Sequence, residues 1–230
     1  MIIFAKITYF IERQDRIIMA RQLIQPCYGM AYAYRMTHIA NIPHILEKGF
    51  VLPTSPDASR NYVNIGDMSV IAKRKEKIIQ EYNLSHYIPL YFGPRSPMLY
   101  VIQCGGNGVT RRNPEDIVYC IVKIDDLIAN KVEGVFTDGH ALDVLSTFYP
   151  FSKLGKAKDY LKVEDVYEMY WKDNESDLDL KRRKEAELLI KDHLPPELIA
   201  GLIVYNEVAK NRLTTIGIKQ RIIIVPTFYF

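Results

Sequence analysis

The apolar residues of this chain fall in short stretches rich in β-branched and aromatic side chains, and none is long or regular enough to make a helical bundle. Ile88–Phe92, Ile117–Val122, Ala200–Asn206 and Arg221–Pro226 are each strand-sized, and turn-forming Pro and Gly residues stand between the elements. Met98–Gln103 has the same composition and is predicted as a further strand. Two segments carry helical spacing instead. Asn41–Lys48 places Ile42, Ile45 and Leu46 on one side and ends at Gly49, a natural cap. Met68–Leu84 places Ile71, Ile78 and Ile79 against exposed Lys73, Arg74, Lys75 and Lys77, which predicts one long helix. Gly134–Leu161 breaks into turns and short apolar fragments. The pattern predicts an α+β fold around a central, largely antiparallel sheet.

At 230 residues and 48% hydrophobic content the chain can bury one substantial core, and it shows no internal repeat or low-complexity tract, so a single domain is expected. Thirty basic side chains against 27 acidic ones give a net charge of +3, too balanced to imply a nucleic-acid partner by itself. Cys27, Cys104 and Cys120 have neither disulfide-framework nor metal-ligand spacing, so no metal is expected. Charges interrupt every apolar run before the roughly 20 residues of a membrane helix, and a reducing, cytoplasmic compartment fits best. In the first segment, Met1–Phe10 is apolar, but Arg13, Asp15 and Arg16 follow it, the reverse of a signal peptide. Met30 is a second plausible start. Residues 1–29 are therefore expected to be an extension, with the working domain spanning 30–230.

Several clusters bear chemistry. In Arg182-Arg183-Lys184-Glu185-Ala186-Glu187-Leu188-Leu189-Ile190 an acid opens an apolar run behind three cations. If Glu187–Ile190 is a strand, Glu187 and Leu189 share one face, and the carboxylate at a core edge or cleft needs a partner such as a ligand hydroxyl. On spacing alone, a solvated helix pairing Arg183 with Glu187 is the commoner outcome. Tyr34–His38 ends a strand with a hydroxyl and an imidazole, and Asn41 follows within one turn, a donor cluster suited to ribose or amide recognition; a Thr or Asn merely capping the helix that starts near Asn41 is at least as common. Tyr91–Leu99 sets two prolines and Arg95 among aromatics, so Arg95 either binds a phosphate or braces the turn through carbonyls. The polar loop Gly49–Asn64 could cover a ligand, and the basic face of Lys73, Arg74, Lys75 and Lys77 follows it. Gly105-Gly106-Asn107-Gly108 matches neither a P-loop nor a G-x-G-x-x-G fingerprint, and the five histidines have no metalloprotease spacing.

In order along the chain, YRMTHIANIPHILEKGF at 34–50, NIG and AKR within 64–74, YIPLYFGPRSPMLYVI at 87–102, TDGHA at 137–141 and RRKEAELLI at 182–190 resemble the DarT toxins. The resemblance covers most of the chain and excludes its first 30 residues. It implies an ADP-ribosyltransferase-like split central sheet with flanking helices. It also implies that NAD is the substrate donor, bound by Thr37 and His38 with Arg35, Met36, Leu52 and Arg74 as neighbours. Glu187 is implied as the catalytic carboxylate and Arg74, rather than Lys73, as the second catalytic residue. The segment between about Val135 and Glu187 is implied to recognise the acceptor, with His140, Tyr149 and Trp171, and Arg95 outside it, as DNA contacts. The acceptor is a base of single-stranded DNA, most often thymidine, and the partner is a macrodomain antitoxin, DarG, that removes the modification. Where the family pattern often has glutamine, this chain has Glu185. In arginine-specific transferases the first acid of such a Glu-x-Glu pair engages the acceptor, so a protein or RNA acceptor is an alternative, and a non-enzymatic nucleic-acid-binding module is another.

Overall fold

The computed structural model describes residues 30–79, 81–106, 108–171 and 176–230. The expected extension over residues 1–29, with Cys27, lies outside them. An eight-stranded sheet forms the centre, in the order β12-β11-β6-β1-β5-β9-β7-β8. Its strands are β1 (Tyr32–His38), β5 (Tyr87–Tyr91), β6 (Ile117–Lys123), β7 (Gly134–Thr137), β8 (Phe148–Pro150), β9 (Glu187–Lys191), β11 (Ile199–Val204) and β12 (Ile222–Ile224). Every pairing is antiparallel except β11 with β12. β1 and β6 are in register over seven residue pairs, whereas β1 meets β5 at the single pair Tyr34–Tyr91. Beyond that pair the two strands diverge, and the sheet is split there. Arg35 spans the opening by donating to the Pro89 carbonyl at 2.6 Å, with Phe50 beneath its guanidinium.

Alternation along the strands builds a core on each face. Ala33, Leu90, Val118, Cys120, Phe136, Leu188 and Ile190 pack into the larger one. Tyr34, Met36, Tyr91, Ile117, Tyr119 and Ile203 turn the other way, onto Leu99, Ile102, Phe228 and Tyr229. Seven helices of α type flank the sheet among the described residues: α1 (Ile42–Lys48), α2 (Met68–Arg74), α3 (Pro97–Cys104), α4 (Ile124–Ala129), α5 (Val163–Tyr167), α6 (Leu180–Lys184) and α7 (Glu207–Thr215). None is long and apolar enough to cross a membrane. Two short ladders complete the fold, β2 (Phe50–Val51) with β10 (His193–Leu194) and β3 (Ile78–Ile79) with β4 (Tyr82–Asn83).

Two expected elements differ. The long helix over Met68–Leu84 stops at Arg74, and β3 and β4 follow. Ile78 is exposed while Ile79 is buried against Leu84 and Leu189, a period of two that a helix does not provide, and Glu81 takes a left-handed φ of 72° at the turn. Met98–Gln103, predicted as a strand, is helical. Ser96 accepts a hydrogen bond from the Leu99 amide, Pro97 occupies the first turn, and Leu99 and Ile102 bury one face. That capping signal was present in the sequence and outweighs the β-branched composition.

Candidate active site

Glu187 begins β9, opposite Tyr91, and the row Tyr34–Tyr91–Glu187 runs across the sheet where it splits. Its side chain is 1% exposed, and both carboxylate oxygens are engaged. Oε2 accepts from Arg74 Nη1 at 2.9 Å, and Oε1 accepts from the Ala141 amide at 2.8 Å. His140 Nε2 lies 4.0 Å from Oε1. Burial pushes the carboxyl's pKa up, but Arg74, His140 and the Ala141 amide more than offset it, and the net shift is downward, toward the ionised form. Burial lowers the His140 pKa against the pull of Glu187, so Arg74 is the cation that holds Glu187 charged. The solvated-helix alternative for Glu187 is overturned, because Arg183 pairs instead with Asp165, Asp177 and Asp179.

The segment Thr137–Ala141 is built around this carboxylate. Thr137 Oγ1 accepts from the Glu187 amide at 3.1 Å and donates to the Gly139 carbonyl at 2.6 Å, fixing the start of the strand. A β-carbon on Gly139 would come within 2.4 Å of Arg182 Nη1 and 2.9 Å of the Arg182 carbonyl, so the chain can pass α6 only as glycine. The His140 amide then bonds the Arg182 carbonyl, and Asp138 takes the Arg182 guanidinium, which leaves the Ala141 amide aimed at Glu187. From the other side, Lys77 Nζ donates to the Asp143 carbonyl at 3.0 Å and lies over Phe148, tying the end of α2 to the same loop.

The basic stretches are therefore not simple surface patches. Arg74 and Lys77 turn inward, leaving Lys73 and Lys75 exposed. Arg182 and Arg183 are spent on aspartates, and Lys184 is buried, its Nζ donating to the carbonyls of Pro94 and Val166, with burial pulling its pKa down to about 8. Glu185 has an enclosed carboxyl on a half-buried residue, and burial raises its pKa to about 7.

The other sequence-selected residues divide. Thr37 is fully buried and accepts from Asn41 Nδ2; Met36 packs in the core that includes Tyr91, and Leu52 against the opposite core. His38 Nδ1 accepts from the Ala40 amide at 3.2 Å and so caps the single turn Ile39–Asn41, whereas Asn41, expected as a cap, makes no side-chain hydrogen bond to the start of α1; the neutral His38 ring that burial favours carries its proton on Nε2. Arg35, Arg74 and Glu187 all act electrostatically on the buried Tyr91 hydroxyl, which marks how closely they converge. Arg35 Nε and Arg74 Nη2 are buried donors without a hydrogen-bond partner among the described residues.

Three of the expected DNA contacts have partners within the protein. Tyr149 pairs with Phe136 across β8 and β7 and stacks on it at 5.1 Å in the core that holds Leu188, the face of β9 opposite Glu187. Strand alternation therefore keeps it from the carboxylate. Arg95 donates to the carbonyls of Tyr229 (2.9 Å) and Thr227 (3.4 Å) and stacks on Phe230, the bracing alternative. Trp171 packs edge-on against Tyr100 and the same Phe230. His140 alone of the four stands beside Glu187. The conspicuous Tyr91–Leu99 block is largely architectural. Gly93 passes so near the Val166 carbonyl that a β-carbon would be 2.2 Å away, Pro94 accepts from Lys184, and Ser96 caps α3. The Ala141 amide was not singled out as a site group, since its role depends on backbone direction and on a contact 46 residues along the chain.

A family described as "ssDNA thymidine ADP-ribosyltransferase, DarT" matches residues 34–230. The DNA ADP-ribosyl transferase of Escherichia coli O127:H6 is 33% identical over 189 residues, 80% of this chain and 84% of that one. A DNA ADP-ribosyl transferase-DNA ADP-ribosyl glycohydrolase fusion protein of Thermosipho africanus is 31% identical over 203 residues, 86% of this chain and 49% of the fusion. Among solved structures, Thermus sp. 2.9 DarT in complex with ADP-ribosylated ssDNA matches with a TM-score of 0.74 at 25% identity, covering 87% of this chain and 96% of that one. The same Thermus protein in complex with NAD+ matches with a TM-score of 0.71 at 26% identity, over 88% and 98% of the two chains.

Proposed function

The chain belongs to the DarT family of single-stranded-DNA thymidine ADP-ribosyltransferases, and from that membership we propose that it transfers ADP-ribose from NAD+ to a thymidine base of single-stranded DNA. The observation that carries the reading is the buried, ionised Glu187 held by Arg74 at the split of the sheet.

In the transfer, the bond between nicotinamide nitrogen and ribose C1′ breaks, and its electron pair leaves with nicotinamide. A ring nitrogen of the base then bonds to C1′, and its proton is released. Positive charge grows on the ribose as the first bond lengthens, and a carboxylate hydrogen-bonded to a ribose hydroxyl stabilises it. Glu187 has the required charge, and its low-dielectric surroundings strengthen the effect. Arg74 acts twice in this reading: it keeps Glu187 ionised, and its unpartnered Nη2 favours the deprotonated form of the attacking base. Arg35 Nε is a second unpartnered donor suited to the oxygen-rich dinucleotide; Met36, Thr37 and His38 end β1, Leu52 follows β2, and in this reading all four are neighbours of NAD+. His140, neutral beside Glu187, faces the acceptor.

Single-stranded DNA is the acceptor, as in the complex of the Thermus relative, and the fusion in Thermosipho africanus points to a DarG-like glycohydrolase as the antitoxin partner. NAD+ and single-stranded DNA meet in the cytoplasm, the compartment we assign. Incubating the protein with NAD+ and single-stranded oligonucleotides, with and without thymidine, tests the proposal by mass spectrometry. An ADP-ribose adduct on thymidine strands that disappears in Glu187→Gln is the expected result. Label from NAD+ found on protein or RNA alone would overturn the acceptor, and NAD-independent DNA binding without any adduct would overturn the reaction.

A further inference from the structure

Lys77 lies three residues beyond Arg74, its amide still bonded to the Lys73 carbonyl at 3.3 Å in continuation of α2. Residues three apart on a helix share a side, so the two cations project toward the same part of the sheet. They meet different segments there. Arg74 reaches Glu187 at the start of β9. Lys77 reaches the loop 138–147 between β7 and β8, donating to the Asp143 carbonyl at 3.0 Å with its charge over the Phe148 ring at the far end of that loop. The same loop supplies the Ala141 amide to Glu187 Oε1. Ala141 is fully buried in a small core with Ile79, Leu84, Val135 and Leu189, and Leu189 shares a face of β9 with Glu187. The chain after α2 and the loop therefore pack on each other beside the carboxylate. At the tip of the loop Val144 and Leu145 are exposed, and it is anchored on one side of that tip by Lys77 and on the other by Arg182 through Ser146.

We propose that Lys77 is a positioning residue that locks the 138–147 loop onto the end of α2, so that the Arg74 guanidinium and the Ala141 amide address the two oxygens of Glu187 from fixed directions. The inference rests on the proposed reading of Glu187 as the carboxylate that stabilises the ribose cation. Such a group works best when its orientation is set before charge develops. One donor to Glu187 comes from α2 and the other from the loop, and without a tie between them the two move independently. A charged donor on a main-chain carbonyl is a strong tie. Lys77 also acts on Glu187 through its field. The other groups facing the carboxylate are Arg74, His140, Glu185 at the end of α6 and the Tyr91 hydroxyl of β5. The charges acting most on His140 and Glu185 do not include Lys77, so their titration is common to wild type and Lys77 variants.

The test compares wild type with Lys77→Met, which keeps the apolar stem, Lys77→Arg, which keeps a charged donor, and Lys75→Met at an exposed position of the same stretch. Two measurements are made on the full chain: hydrogen exchange of peptides covering 138–147, and the pH dependence of kcat for transfer to a thymidine-containing single strand. In Lys77→Met, exchange over 138–147 is expected to quicken about tenfold and kcat to fall about tenfold, the scale of one lost hydrogen bond to a charged group. The acid limb of the kcat profile is expected to move up by about one pH unit, because losing a cation's field and loosening an amide donor both ease protonation of the carboxylate. KM for NAD+ stays within a factor of three. Lys77→Arg is expected within threefold of wild type, and Lys75→Met to match it. Exchange unchanged in Lys77→Met overturns the lock, whether or not the protein transfers ADP-ribose. Quickened exchange with kcat and its acid limb unmoved, or a loss that Lys77→Arg shares in full, overturns the positioning role. Wild type that transfers nothing, with exchange still quickened in Lys77→Met, overturns the functional reading and leaves the lock as a property of the fold.

Discussion

Replacing Arg74 with methionine removes the one cation bonded to a buried carboxylate while keeping the length of the side chain. The pair is 2.9 Å apart, with the side chains of Arg74 and Glu187 11% and 1% exposed, so solvent screens it little. Removing one partner of such a pair costs about 3–5 kcal/mol, because the remaining charge is buried without compensation. For a domain of this size each kcal/mol moves Tm by about 2–4 °C, so Arg74→Met should melt roughly 6–20 °C below wild type in scanning calorimetry near neutral pH. The double variant Arg74→Met with Glu187→Gln should recover most of that loss, since the glutamine carries no charge and its carbonyl still accepts from Ala141. The pH dependence changes as well. In wild type the folded pKa of Glu187 is depressed, so its stabilising contribution is present above the unfolded pKa and is lost as pH falls through the folded one. Without Arg74, burial is opposed by the Ala141 amide and by the weaker fields of Lys77 and, where it is protonated, His140, and the contribution shifts toward acid: Arg74→Met should gain stability relative to wild type as pH is lowered from 8 to 5. A single variant melting within 2 °C of wild type, with no recovery in the double variant, would refute the buried-pair reasoning.

Glu187→Gln should lower the transfer rate at least 10²-fold while NAD+ affinity falls less, read from single-turnover kinetics and calorimetry. Glu185→Gln should stabilise the protein by up to about 3 kcal/mol at pH 8 and by little at pH 5. The Glu185 pKa is raised to about 7, so its contribution is complete below the unfolded pKa and is lost as pH rises through 7; parallel melting curves of the two proteins across that window would sink the assignment. Gly93→Ala should lose 3 kcal/mol or more, roughly, because the new β-carbon meets the Val166 carbonyl at 2.2 Å, whereas Gly155→Ala, with only Ile128 Cδ1 at 3.7 Å, should be near neutral in urea titration. Tyr149→Leu should lower Tm by several degrees yet leave affinity for a single-stranded oligonucleotide unchanged; a loss of affinity at constant stability would put Tyr149 back in the acceptor site.

The residues that form β1, β5, β6 and β11 were legible as strands because each is a short run dense in β-branched or aromatic side chains, whereas for β9 spacing alone favoured a solvated helix and alternation gave the face of Glu187 only if the segment was a strand. The preference for Arg74 over Lys73 came from the resemblance, and the fold supplies a physical reason: at the end of α2, Arg74 turns onto Glu187 at the start of β9 while Lys73 stays exposed. Helix and strand could not be told apart from composition at Met98–Gln103, where a local cap decided the outcome, or at Ile78–Ile79, where burial of one isoleucine and exposure of the next did. The surroundings of the expected DNA contacts were the least legible. Tyr149, Arg95 and Trp171 were chosen for the chemistry of their side chains, but which face of a sheet or which segment's carbonyls a side chain meets depends on partners more than 10 residues away.

What the sequence by itself determined is therefore local and periodic: strand-sized runs, the alternation that places residues on one face of a strand, and the ordered blocks that mark the family. What only the tertiary structure decided is which charges are consumed and which are available. Arg182, Arg183 and Lys184 look in the sequence like a basic patch, yet the fold brings aspartates and main-chain carbonyls to them, while it delivers Arg74 across 113 residues to a carboxylate that needs it. A charge's role is set by the dielectric and the partners around it, and those exist only once distant segments have packed together.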